Sequence, residues 1–280
     1  MIDSPLHGRP VPGIPDSIIA QAAKLPAHLP GGTALGASIE GRPGALLFEV
    51  PGTARYLIHD GTTIAFKSSP GSDPATVELF LNGSARGVLI HQRGELALEA
   101  CTILAPNGQC VAISGNSGVG KSTLAAALCT RGWNLVAEDV TRVTWNGRQV
   151  LAWLSAEAIK LWRDACERLG LDCSGRDQVR RGMQKYILPM PVATQPVALM
   201  AVIRLSLGAR GSPVGIEGPA RLELLAQCTF RARFLEPLGR IGKHARMIRH
   251  ADVRCRIFAL AGARDHLPED LADSIERAVS

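Results

Sequence analysis

The apolar positions of this chain fall into short runs with two different spacings. ALLFEV (45–50), ARYLIHD (54–60) and TTIAFKS (62–68) are strand-like, and Asp60-Gly61 between the last two supplies the residues of a tight hairpin. Upstream, residues 1–44 are rich in Pro and Gly and read as irregular, with one short helix over PDSIIAQAAKL. Downstream the spacing turns helical. Asp73 stands as N-cap, Pro74 takes the first helical position, and Val77, Phe80, Leu81, Val88 and Leu89 form the buried side, with Gly83 and Gly87 as weak points.

From Glu95 the pattern returns to strands. LALEACTIL and QCVAIS are joined across Pro106-Asn107-Gly108, WNLVAED (133–139) is a buried strand, and RVTWNGRQVLAW (142–153) is a hairpin turning on Asn146-Gly147. SAEAIKLWRDACERLG (155–170) reads as an amphipathic helix between Ser155 and Gly170. VALMAVIRLSL (197–207) is a strand, and LPEDLADSIERAV closes the chain as a helix. This interleaving predicts an α/β protein, a mixed sheet flanked by helices, with a smaller α+β part over residues 1–90 and a larger domain over 91–280.

Between QCVAIS and the Ala/Leu-rich STLAAALCTRG lies the first candidate chemistry. Residues 115–122, GNSGVGKS, fit G-x-x-x-x-G-K-[ST] at every fixed position. Gly115, Gly118 and Gly120 permit backbone angles that turn successive N–H groups inward, and a helix starting at Lys121 adds its positive end. With Asn116, Ser117, Val119 and Thr123 they would form a cradle for the phosphates of a nucleotide. Lys121 would reach the β/γ-phosphates, and the Ser122 hydroxyl would ligate Mg²⁺. WNLVAED then ends in two carboxylates, Glu138 and Asp139, at the same end of the sheet. One can hold the metal and one can take a proton.

Composition narrows the field. Hydrophobic residues make up 46% of the 280 and charged residues 20%, which describes a globular chain. No run of 18 apolar residues occurs, so no membrane span is expected. The first residues lack a basic region followed by an apolar stretch, so secretion is not expected either. The seven cysteines have no C-x-x-C spacing and lie mainly in apolar runs, which favours a cytoplasmic setting over a zinc site. Much of the net charge of +6 sits between Arg231 and Arg256. Without interleaved aromatics that basic stretch points away from nucleic acid, towards an acidic partner or a cover for the nucleotide.

The run HQRGELALEACTILAPNGQCVAISGNSGVGKSTLAAALCTRGWNLVAEDVTRV (91–143) resembles the catalytic core of the HPr kinase/phosphorylase family, and 45–90 resembles the amino-terminal part of small HPr-kinase-like proteins, including those encoded beside lasso-peptide enzymes. The resemblance implies a P-loop serine kinase core over 91–280, using ATP and Mg²⁺ and phosphorylating a serine of a peptide or protein such as a lasso-type precursor. It implies a homo-oligomer as well. It makes Glu138 and Asp139 the family's acidic pair, one the general base and one, with Ser122, the metal partner. The order is left open, with Glu138 favoured as base and Asp139 towards Mg²⁺, and Arg180, Arg181 and Lys185 of RRGMQKYILP are added as phosphate or substrate contacts. Two positions depart from the family. Glu138 stands where an aspartate is usual, and Glu99 in LALEACT replaces a histidine linked to phosphate handling. Two alternatives therefore stand beside the peptide kinase: a small-molecule kinase on the same scaffold, and a catalytically weak ATP-binding regulator.

Overall fold

The computed structural model describes residues 5–209, 211–262 and 268–279. The chain is a mixed α/β protein that divides into two compact units. One comprises the residues up to Ala97 together with Arg231–Arg246, and the other comprises Leu98–Phe230 with the residues from Met247 on.

In the first unit six strands form one sheet: β1 (Ile18–Gln21), β2 (Thr33–Ala34), β3 (Ile39–Arg42), β4 (Ala45–Val50), β5 (Ala54–His59) and β6 (Thr63–Ser68), in the order β1-β6-β5-β4-β3-β2. Asp60 and Gly61 at the β5–β6 turn both adopt positive φ, 60° and 68°, as the hairpin reading requires. The short helix expected in PDSIIAQAAKL does not form. Ile18–Gln21 instead pairs in parallel with Thr63–Phe66, because the ladder hydrogen bonds offered by an open sheet edge outweigh the helix preference of Ala20, Ala22 and Ala23. Helix α1 (Pro74–Phe80) is capped by the Asp73 carboxylate, which accepts from the N–H groups of Ala75 at 3.3 Å and Thr76 at 3.1 Å. A single π turn, Leu81–Ala85, interrupts the helix at Gly83 before α2 (Arg86–Arg93).

The second unit is built on an eight-stranded sheet. Its strands are β7 (Leu96–Leu104), β8 (Cys110–Ser114), β9 (Asn134–Ala137), β10 (Val140–Trp145), β11 (Val150–Ala152), β14 (Val197–Ser206), β15 (Val214–Gly215) and β16 (Arg256–Ala261). A separate pair, β12 (Ala158–Trp162) and β13 (Lys185–Pro189), lies apart from it. The helices are α3 (Lys121–Cys129), α4 (Arg163–Arg168), α5 (Ala220–Gln227), α6 (Ile241–Arg254), of which the residues from Met247 on belong to this unit, and α7 (Pro268–Val279). β8 runs between β7 and β14, antiparallel to the first and parallel to the second, and every one of its residues is buried. A fully buried, mainly apolar strand of this kind belongs at a sheet centre. Behind it, α3 and α7 pack into one core with Ile103, Val111, Ile113, Leu128, Ile203 and Ile275. The Arg131 guanidinium ties α7 to the loop after α3, donating to Asp273 at 2.5 Å and to Glu276 at 3.1 Å.

The helix expected over 155–170 is also corrected. Ala158–Trp162 is a strand, and only the six residues Arg163–Arg168 are helical. Ile159 and Leu161 are buried while Ala158, Lys160 and Trp162 alternate with them, which is a period of two. The positions Ala156, Ile159, Cys166 and Leu169 satisfy a helical period too, and pairing with β13 decides between them.

All seven cysteines are free and buried. Burial pushes six of these thiols up: Cys101 and Cys255 to about 12, Cys129 and Cys166 to about 11, with Cys110 and Cys228 raised as well. Since the thiolate is the reactive form, Ellman's reagent at pH 8 is expected to leave the native chain essentially unlabelled and to titrate all seven after denaturation. A thiol labelled within seconds in the native protein would contradict this packing.

Candidate active site

β8 ends at Ser114, and the chain turns at once through Gly115–Gly120 into α3. Gly115 has φ 145°, and a Cβ there would stand 2.3 Å from the Leu205 carbonyl oxygen of β14 and 3.0 Å from Val119 Cγ1. Only glycine fits that passage between two strands. Gly118 and Gly120 also have positive φ, 81° and 104°. Gly120 is the N-cap of α3 and makes no side-chain cap, so the first-turn N–H groups remain as donors to a ligand. The Lys121 ammonium folds back over the loop, donating to the Gly115 carbonyl at 2.6 Å and the Asn116 carbonyl at 3.2 Å. Glu99 of β7 faces the same ammonium at 3.5 Å.

Glu138 and Asp139 form the two-residue junction between β9 and β10. Asp139 adopts φ 62°, and the Val140 N–H donates back to the Glu138 carbonyl at 2.7 Å, closing a three-residue turn around it. Positive φ in such a turn is strained, and aspartate tolerates it better than most residues. The consequence is directional. The Glu138 side chain is only 3% exposed, whereas that of Asp139 is 44% exposed.

Lys160 of β12, which the sequence reading placed on a helix, links the two acids. Its ammonium donates to Glu138 Oε2 at 2.5 Å and to Asp139 Oδ2 at 3.1 Å, and its backbone N–H donates to Glu138 Oε1 at 2.8 Å. Both Glu138 oxygens are thus engaged by one residue. Burial, reinforced by the Asp139 charge, raises the Glu138 carboxyl above its usual range. Burial also opposes ionisation of Asp139, but the positive charges of Lys160, Lys185 and Lys121 outweigh it and hold that carboxyl low. For Lys160, burial disfavours the ammonium and the two acids more than compensate, so its pKa is raised.

A cavity of about 810 Å³ opens over the loop, lined by Ser117–Thr123, Asp139, Lys160, Trp162, Asp164, Arg168, Met183 and Lys185 among others. It brings together most of the residues the sequence singled out. Glu99, Gly115, Asn116, Glu138, Arg180 and Arg181 do not line it. Glu99 meets the Lys121 ammonium from β7, Gly115 and Asn116 start the loop beneath that ammonium, Glu138 is buried behind Asp139, and the two arginines are exposed in the turn before β13. Lys160 and Trp162 are additions. The alternation in AIKLW was the signal for both, since it sets Lys160 and Trp162 on one face of a strand. Trp162 is 47% exposed, whereas Trp133 is buried and Trp145 stacks on His250 at 4.5 Å.

The donor set suits Mg²⁺. The Ser122 hydroxyl and the Asp139 carboxylate are hard oxygen donors lining the same cavity. Among the described residues no three His, Cys, Asp or Glu side chains cluster as a metal site, so most ligands of a bound ion would come from phosphate and water, the usual arrangement for this ion. No helix among the described residues is long and apolar enough to cross a membrane.

No protein-family model matches the chain, and no curated protein matches it. Among solved structures it is similar to the Hpr(Ser) kinase/phosphatase from Coxiella burnetii, at 14% identity with a TM-score of 0.37, over 65% of this chain and 95% of that one. At that depth of likeness, activity has to be argued from the site itself.

Proposed function

We propose that the chain is a kinase that transfers the γ-phosphoryl group of ATP to a serine hydroxyl of a peptide or protein. The observation supporting this is one cavity lined by Ser117–Gly120 of the glycine loop, the α3 N-terminus, Lys121, Ser122 and Asp139. Amide donors and the helix start receive phosphate oxygens, and Lys121 neutralises the charge carried by the β/γ-phosphates. Ser122 and Asp139 are the residues that would hold Mg²⁺, which when bound draws charge from the phosphate oxygens. The acceptor oxygen forms its bond to the γ-phosphorus as the bond to the ADP oxygen breaks, and the hydroxyl proton passes to the Glu138–Asp139 pair, of which Asp139 is the member open to the cavity. Lys185, which lines the same cavity, would face the developing charge.

The resemblance over 45–143 extends to proteins that act on precursor peptides, and a lasso-type precursor is the acceptor in this reading. Incubation with γ-labelled ATP, Mg²⁺ and serine-bearing peptides is expected to yield phosphoserine by mass spectrometry, and none when the acceptor serine is alanine. Label passing only to water or to small metabolites would overturn the peptide assignment. One observation favours a second reading. The Glu99 carboxylate 3.5 Å from Lys121 competes with phosphate for that ammonium, which suits a protein that binds ATP and turns it over slowly.

A further inference from the structure

The acid pair at the β9–β10 junction already contains a cation. The Lys160 ammonium lies 2.5 Å from a Glu138 oxygen and 3.1 Å from an Asp139 oxygen. Its own backbone N–H holds the second Glu138 oxygen at 2.8 Å, so lysine and glutamate form a closed, double-contact unit. Lys185 and Lys121 add two more positive charges that act on Asp139. A divalent ion approaching Asp139 therefore meets three lysines that line the same cavity. It finds one half-open carboxylate and no cluster of three protein ligands among the described residues.

We infer that Lys160 is the internal counter-ion of the Glu138–Asp139 pair, closing it to free divalent metal and making metal entry depend on the phosphates of the nucleotide. The inference rests on the nucleotide-binding reading above and adds a positioning residue to it. Attraction between unit charges at ionic contact is strong at the effective dielectric of a protein surface, and the same lysines repel a doubly charged ion more strongly than a singly charged one. The triphosphate supplies what the protein withholds: several negative oxygens that satisfy the lysines and the ion together. With phosphates in the cavity, the Lys160 ammonium turns from Asp139 to a phosphate oxygen while its backbone N–H keeps Glu138 in place.

Mn²⁺ serves as the probe, its free concentration read from its electron paramagnetic resonance signal, with and without the non-hydrolysable analogue AMP-PNP. The wild-type chain is expected to take up Mn²⁺ weakly alone and tightly with the analogue. Lys160→Met should tighten metal binding without nucleotide by roughly tenfold or more, and Lys160→Arg, which keeps the charge, should resemble wild type. A merely structural lysine would move the melting temperature in Lys160→Met and leave the metal affinity unchanged. If Lys160→Met fails to fold, the double variant Glu138→Gln/Lys160→Met removes both members of the buried pair, leaves Asp139 uncovered, and should show the same gain. Wild-type uptake of Mn²⁺ equally tight with and without AMP-PNP would overturn the inference, as would a folded variant lacking Lys160 that gains nothing. Should AMP-PNP itself not bind, the nucleotide reading falls, while the metal-alone comparison of wild type with the Lys160 variants still decides the counter-ion role.

Discussion

Lys121→Ala is expected to lower phosphoryl transfer by at least about 10²-fold, the scale seen when one group stabilising developing charge is removed. The chain should stay folded. Lys121 lies at the first position of α3 with only 10% of its side chain exposed, and its ammonium touches the Gly115 and Asn116 carbonyls and the Glu99 carboxylate. None of these contacts belongs to the apolar core behind the loop. Losing them leaves two carbonyls with one donor fewer, at about 1–2 kcal/mol, and alanine at the helix start brings back some helix propensity. The loss should fall mainly on kcat, because the ammonium gains most where charge is building, with KM for ATP rising less. Lys121→Arg is not expected to restore activity, since a planar guanidinium does not fit where a compact ammonium reaches two carbonyls of one tight loop. Steady-state kinetics with labelled ATP, beside thermal unfolding of both variants, measures the two effects separately. Transfer within threefold of wild type in Lys121→Ala would remove the phosphate role from this loop.

Much of this site was legible because its determinants are local. Gly115, Gly118 and Gly120, the apolar CVAIS before them and the Ala/Leu run after them specify strand, loop and helix within a span of residues 110–129, and the structure has that order. The hairpins at Asp60-Gly61 and Asn146-Gly147 were legible for the same reason. The direction of the acid pair was not. WNLVAED places Glu138 and Asp139 at a strand end, but which carboxylate faces the cavity depends on the positive φ of Asp139, and no spacing rule encodes that. Lys160 was hidden by degeneracy. A run such as AIKLW fits either period, and the choice was made by residues 185–189, more than twenty positions away. The strand Ile18–Gln21 escaped similarly, because its partner Thr63–Phe66 is distant in sequence. Pairings that are non-local in the chain are the ones that pattern alone could not supply.

The largest stability loss is expected at Gly115 and not at its neighbours in the same motif. Alanine at 115 sets a Cβ 2.3 Å from a backbone oxygen of β14, well inside contact distance, and 3.0 Å from Val119 Cγ1. Backbone cannot swing aside as a side chain can. β14 is the central partner of both β8 and β16, so relief must come from shifting the loop or loosening the sheet. φ of 145° adds strain in any residue with a Cβ. Together these place the loss at roughly 3 kcal/mol or more, among the large effects of single substitutions. Gly120→Ala is the internal control: its Cβ would meet nothing within 4 Å, and only φ of 104° opposes it, a strain of about 1–2 kcal/mol. Thermal unfolding followed by circular dichroism should therefore rank the variants wild type, Gly120→Ala, Gly115→Ala in falling stability. AMP-PNP should protect Gly115→Ala least, because the displaced loop no longer presents its amides. Equal stability of the two glycine variants would mean that the loop does not pass against β14 as described, and the close approach that fixes the cradle would be lost with it.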